Sequence, residues 1–179
     1  HNAYTSTAKV RARAVDRGAP PTMSAEAIAA TMRAFAADLP PGDRSSRGSI
    51  SVPYPRGSAD YTYDHATNSY LRSVAGVPQV DAADGARVIA RNVVVLFMKL
   101  SVDPESEPGH RRPLLGHLGT GPALVFRDGT VIEGTWSKPS AHELTRFFDA
   151  AGEEITLVRG SIYIQVVPTG TKVTYDAPA

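Results

Sequence analysis

The run Val93-Val94-Val95-Leu96-Phe97 is the most restrictive stretch of this chain. Five consecutive apolar residues place large side chains on both faces of a strand, so both faces need cover. The segment therefore predicts a central strand with one packed layer above it and another below. With 179 residues, the chain can supply those layers, since a domain of this size removes about 70% of its unfolded surface from water.

The same composition narrows the chemistry. There is no cysteine, which excludes disulfides, thiol nucleophiles, thiolate zinc sites and iron–sulfur clusters. Nineteen basic against eighteen acidic side chains leave a net charge of +1, which argues against a broad nucleic-acid surface. The longest apolar run, Val93 to Met98, is strand-sized and far short of the roughly 18 residues of a membrane helix. No signal peptide is visible. The chain opens on His1-Asn2-Ala3 rather than Met, and reads as a fragment or a processed product whose address lies upstream.

Two parts follow from the order of signals. Residues 1–48 form an arm: a basic segment with Lys9, Arg11, Arg13 and Arg17, then a helix capped by Ser24. Ile28, Met32, Phe35 and Leu39 fall at helical spacing along that helix, and Pro40-Pro41-Gly42 stops it. One such helix cannot make a core alone, so the arm reads as the remnant of an upstream domain, its packing partner missing. Residues 49–179 read mainly as strands. Ile50 to Tyr54 alternates, with Pro53 demoting it to an edge. Tyr61-Thr62-Tyr63 and Tyr70 to Val74 flank a turn-rich loop and form a hairpin. Asp103 to Arg112 is a charged loop, expected to be mobile.

Asp128-Gly129 specifies a two-residue type I′ turn, because both residues tolerate positive φ. The register pairs Arg127 with Thr130, Phe126 with Val131, and Val125 with Ile132. Ser140 and Glu143 match a capping box, followed by Leu144, Phe147 and Phe148 at helical spacing and Gly152 as the stop. This predicts the main helix. A last hairpin is expected to turn at Gly160-Ser161, with Leu157 facing Ile164, Ile155 facing Val166, and Thr156 and Gln165 on a wet face. Lys172 to Tyr175 adds a further strand. The fold class is α+β: an antiparallel-rich β-sheet or partly open barrel with one helix between hairpins, plus an N-terminal helical arm.

Catalytic signatures are sparse. No nucleophile elbow, phosphate loop or His-Glu-x-x-His occurs. The spacing of His65, His110, His117 and His142 does not require a metal, and Gly116 to Gly121 reads as a turn ahead of a strand. No catalytic residue, metal ligand or cofactor is assigned. The set that could carry function is Tyr61, Tyr63, Asp64, Tyr70, Arg72, Asp81, Asn92 and Trp136. Its tyrosines and guanidinium would suit a sugar, a peptide or a carboxylate. They would equally suit a structural role. The tyrosines would then be cross-strand pairs worth about 0.2–1 kcal/mol each, Asp64 a turn cap, and Arg72 the partner of Asp81 or Asp64. Trp136 shares the strand parity of Ile132, which favours the core.

At these residues the chain resembles the YerB-like family of bacterial lipoproteins, whose function is unassigned. The likeness runs through Tyr63-Asp64, Tyr70-x-Arg72, Gly76, Asp81, Asn92-Val93-Val94-Val95, Asp128-Gly129, Gly134-x-Trp136, Gly152, Gly160 and Val166-Val167-Pro168. His1-Asn2-Ala3-Tyr4 is similar to the stretch closing the family's N-terminal domain. The resemblance implies that residues 49–179 are a C-terminal domain and that the absent N-terminal domain is its partner. It also implies an extracytoplasmic envelope protein, secreted or held at the membrane only through an upstream lipid anchor. After Gly160 the family pattern has a tryptophan where this chain has Tyr163.

Besides a structural role that holds the absent N-terminal half in place, two functions are compatible with that setting. One is a non-enzymatic module that binds an envelope polymer or protein. The alternative is a hydrolase or transferase on cell-wall polymer, with Asp64, Asp81 or Glu133 in an acid/base pair. For a glycosidic bond, that pair would stand about 5 to 9.5 Å apart.

Overall fold

The computed structural model describes residues 6–19, 22, 24–25, 35–107 and 109–178. It divides into two compact units, residues 1–33 and 34–179. The first contains helix α1 (Thr7–Asp16), rich in Ala, Arg and Lys; the Ser6 hydroxyl accepts from the Lys9 amide at 3.3 Å, and none of its residues is buried. From sequence this stretch reads only as a basic segment. Of the helix expected after Ser24, residues 26–34 lie outside the described residues, and Phe35, assigned to its apolar stripe, belongs to a strand.

The second unit is almost wholly β. Its strands are β1 (Phe35–Ala36), β2 (Ser49–Tyr54), β3 (Gly57–Asp64), β4 (Ser69–Val74), β5 (Val77–Pro78), β6 (Ile89–Ala90), β7 (Asn92–Met98) and β8 (Leu100–Val102). There follow β9 (Pro113–Leu115), β10 (Gly119–Arg127), β11 (Thr130–Lys138), β12 (Arg146–Phe148), β13 (Leu157–Val158), β14 (Ile162–Pro168) and β15 (Thr174–Asp176). One sheet has the order β12-β11-β10-β7-β14. A second runs β15-β2-β3-β4-β5, with β6 also on β4. Neither closes into a barrel. β8 and β9 make a separate two-stranded ribbon with Leu100, Val102, Leu114 and Leu115 exposed.

The apolar run explains this layering. Val93 and Val95 face a core shared with Ile50, Val52, Tyr61 and Tyr70 of the second sheet. Val94, Leu96 and Met98 face the other way, into a core with Val125, Trp136, Phe147 and Leu157. β7 is thus covered on both faces, as its sequence predicts. The Asp-Gly hairpin also forms in the expected register, with φ of 52° at Asp128 and 76° at Gly129. Pro53 is tolerated because β15 pairs with β2 only over Ser49 to Ser51.

Two expected elements of this unit do not form. There is no α-helix among the described residues of the second unit. Ser140 and Glu143 do meet side chain to side chain at 2.9 Å, but the chain then extends so that Phe147 pairs with Trp136 across β11–β12. The tight fit at Gly134 accompanies this path: a Cβ there would lie 2.0 Å from the Phe148 carbonyl oxygen. Burying Phe147 against Trp136 outweighs local helix preference. The hairpin at Gly160-Ser161 is absent too. β13 pairs with β1, whereas β14 crosses to run parallel to β7. Gln165 consequently points into the core side, 8% exposed, instead of lying on a wet face.

Candidate functional site

The inner face of the β3–β4 hairpin is set by strand alternation. Ala59, Tyr61 and Tyr63 point inward, and the register sets Tyr61 beside Arg72 and Tyr63 beside Tyr70. At the loop end of the hairpin the tyrosines are locked. The Gly129 amide donates to the Tyr70 hydroxyl at 3.1 Å. Tyr63 donates to Asn68 Oδ1 at 2.8 Å, and the Asn68 amide donates to Asp128 Oδ1 at 2.8 Å. Burial pushes both phenols above their ordinary value, with the Asp128 charge adding to the effect. The β10–β11 turn is therefore plugged into the tyrosine hairpin. Outside it, Asp38 pairs with Arg91 and Arg44, and the hydrogen bond from Arg91 holds its carboxyl below the usual range.

The remaining predicted residues scatter. Asp64 closes its own loop, accepting from the Thr67 hydroxyl at 2.7 Å and the Ala66 amide at 3.0 Å. Asp81 accepts from the Ala83 amide in an exposed turn. Asn92, fully buried, exchanges two 2.9 Å hydrogen bonds with the backbone of Val158. Trp136 donates to the Phe97 carbonyl at 3.0 Å inside the other core. Tyr61, Tyr63, Tyr70, Asn92 and Trp136 are all buried.

Arg72 is different. Toward the far end of the hairpin, the second sheet's inner face extends past its cover and opens a depression of about 320 Å³. Its lining includes Tyr54, Arg56, Ser58, Arg72, Val74 and Gln165. The Arg72 guanidinium lies 5.3 Å from the centre of the Tyr163 ring, and its Nε donates to the Tyr61 hydroxyl at 3.4 Å. Gln165 links the neighbours: its amide donates to Tyr61 at 2.6 Å, and its oxygen accepts from Tyr54 at 2.7 Å. Burial raises both phenols, a rise the Arg72 charge partly offsets. Among the described residues no acid lines the depression. Among the described residues neither Arg72 nor Arg56 forms an ion pair. The expected pairing of Arg72 with Asp64 or Asp81 does not form.

This arrangement can receive an anion: two guanidinium groups with hydroxyl and amide donors beside them, and an aromatic face to hold one guanidinium in place. It contains no nucleophile–base pair. Asp64, Asp81 and Glu133 stand on separate elements with separate partners, Glu133 accepting from the Tyr175 hydroxyl at 2.6 Å. Among the described residues no three His, Asp or Glu side chains converge as a metal would require. Sequence reasoning missed Tyr54, Arg56, Tyr163 and Gln165. The available signal was Gln165 itself, a lone amide in the strand Ile162 to Val167.

Fold and site define a two-sheet, mostly β domain with an arginine-floored depression at one open end. The chain belongs to the family described as "Protein of unknown function (DUF3048) C-terminal domain", whose pattern matches residues 50–164. It is similar in structure to the YerB protein from Bacillus subtilis, with a TM-score of 0.70 and 20% sequence identity. That likeness covers 98% of this chain and 56% of YerB, so the chain spans about half the length of that relative. No curated protein shows a match.

Proposed function

We propose that this domain is a non-enzymatic, extracytoplasmic binding module of the bacterial cell envelope, and that its binding face is the Arg72 depression. The observation that carries this reading is a half-buried guanidinium, steadied by Tyr61 and Tyr163, with no carboxylate partner among the described residues. A charge fixed in place yet left unpaired is available to a ligand. The envelope setting rests on the resemblance to the YerB-like lipoproteins. So does the remaining part of the proposal: an upstream lipid anchor and an N-terminal domain as companion.

The test is co-sedimentation of the chain with bacterial envelope fractions. Arg72→Met and Arg56→Met together should abolish sedimentation while the circular dichroism spectrum and melting curve stay those of the parent. Envelope binding that survives the double substitution would overturn the reading. Tyr70 and Trp136 are unsuitable probes, since both are core residues.

A further inference from the structure

The open side of strand β14 lies next to the same depression. Among the described residues β14 is the last strand of its sheet, paired only with β7. The Asn92 amide donates to the Ser161 carbonyl and the Thr169 amide to the Met98 carbonyl. These two bonds fix the phase of the parallel ladder: odd-numbered residues 161–169 direct their backbone groups toward β7. The N–H and C=O groups of Ile162, Ile164 and Val166 therefore point away from it. None of these three amides has an acceptor among the described residues, and Ile164 is 48% exposed. Pro168, lacking an N–H, ends the row.

Tyr54 joins this edge to the depression. Its hydroxyl, bonded to Gln165, also stands 3.4 Å from the outward carbonyl of Val166. A strand laid along β14 would pass directly beside Tyr54. Side chains alternate between faces, so its inward residues would lie level with Tyr163 and Gln165. They would then point to the side where Arg72 and Arg56 are found.

We infer that β14 is a docking edge for an extended peptide that adds a sixth strand to this sheet and places an aspartate or glutamate side chain against Arg72. The occupant is a peptide because the outward amides of Ile162, Ile164 and Val166, with the outward carbonyls of Ile162 and Ile164, form a row of backbone donors and acceptors at strand spacing, which a sugar would not match. It is acidic because the depression carries two arginines and, among the described residues, no acid. The inference rests on the binding reading above and names the ligand class for the same face.

The test uses the 179-residue chain and a displayed library of random peptides of about ten residues, longer than an average strand. Selected peptides should alternate apolar residues with at least one Asp or Glu. On binding them, amide exchange at Ile162, Ile164 and Val166 should slow by about tenfold or more. Ile164→Pro removes one outward donor without touching the β7 ladder. It should weaken binding by about tenfold. Arg72→Met should remove the preference for acid. Should Ile164→Pro fail to fold, the exchange measurement on the parent decides alone.

Three results would overturn the inference: no peptide is enriched, enriched peptides leave those amides unprotected, or the protection appears with protein concentration alone, which would assign the edge to a second copy. Peptides that depend on Arg72 yet leave the amides exchanging freely would sink the docking edge while sparing the binding face. Envelope binding indifferent to Arg72 and Arg56 would sink the binding face itself, whatever the amides do.

Discussion

The hydroxyl of Tyr70 accepts the Gly129 amide at 3.1 Å, fastening the turn of one sheet to a strand of the other. Both groups are buried, and among the described residues the hydroxyl is the amide's one partner. Tyr70→Phe keeps the ring and removes the acceptor. It should destabilise the domain by about 1–3 kcal/mol, the cost of a buried donor left unsatisfied, measured by urea denaturation.

Gly129 faces a second constraint. Its φ is 76°, and a Cβ there would come within 2.5 Å of the Tyr63 ring. Gly129→Ala should therefore cost more than the roughly 1–3 kcal/mol of backbone strain alone. The double variant with Tyr63→Ala should recover part of the loss. A double-mutant cycle on melting temperature checks the coupling.

Asp60 offers a pH dependence. Burial opposes its charge, but hydrogen bonds from the Ser51 and Ser58 hydroxyls and the Gly76 amide outweigh it and lower the carboxyl's pKa. A lowered folded value stabilises the domain above the unfolded value of about 4 and ceases to do so as pH falls through the folded one. Asp60→Asn should thus destabilise at pH 7 and converge on the parent in strong acid. Unfolding curves across that range give the comparison.

Asn92 replaces a β-ladder with a side chain, serving both backbone groups of Val158. Asn92→Leu should cost about 2 kcal/mol or more, since a donor and an acceptor are orphaned together. Exchange at the Val158 amide should accelerate beyond what global unfolding explains.

How much of this was readable in advance varied with the range of the forces involved. The Asp128-Gly129 turn was legible because its positive φ angles are encoded in two adjacent residues. The β7 run was legible because burial on both faces leaves no polar position. The stretch after Ser140 misled because Ser140 and Glu143 do meet, but side chain to side chain instead of capping each other's amides, while Phe147 answers to Trp136 rather than to its own neighbours. β13 misled for a similar reason: Phe35 and Asn92, distant in sequence, take the bonds that a hairpin would have used. The tyrosines gave the right hairpin, but an aromatic at alternate positions does not say whether it faces solvent or core. Arg72 was found. Its surroundings were not, because Gln165 and Tyr163 reach it through the parallel crossing of β14.

That crossing also sets a timetable. Asn92 to Met98 must wait for Ile162 to Pro168, and Ile50 for Tyr175, before either sheet has its full complement of strands. Pairings so distant along the chain form slowly. A polypeptide emerging from its N-terminus could assemble the β3–β4 and β10–β11 hairpins early, yet it would keep β2 and β7 open on one side until residues 162–176 arrived. Completion of this domain waits for residues 162–176, when β14 and β15 complete two sheets almost at once.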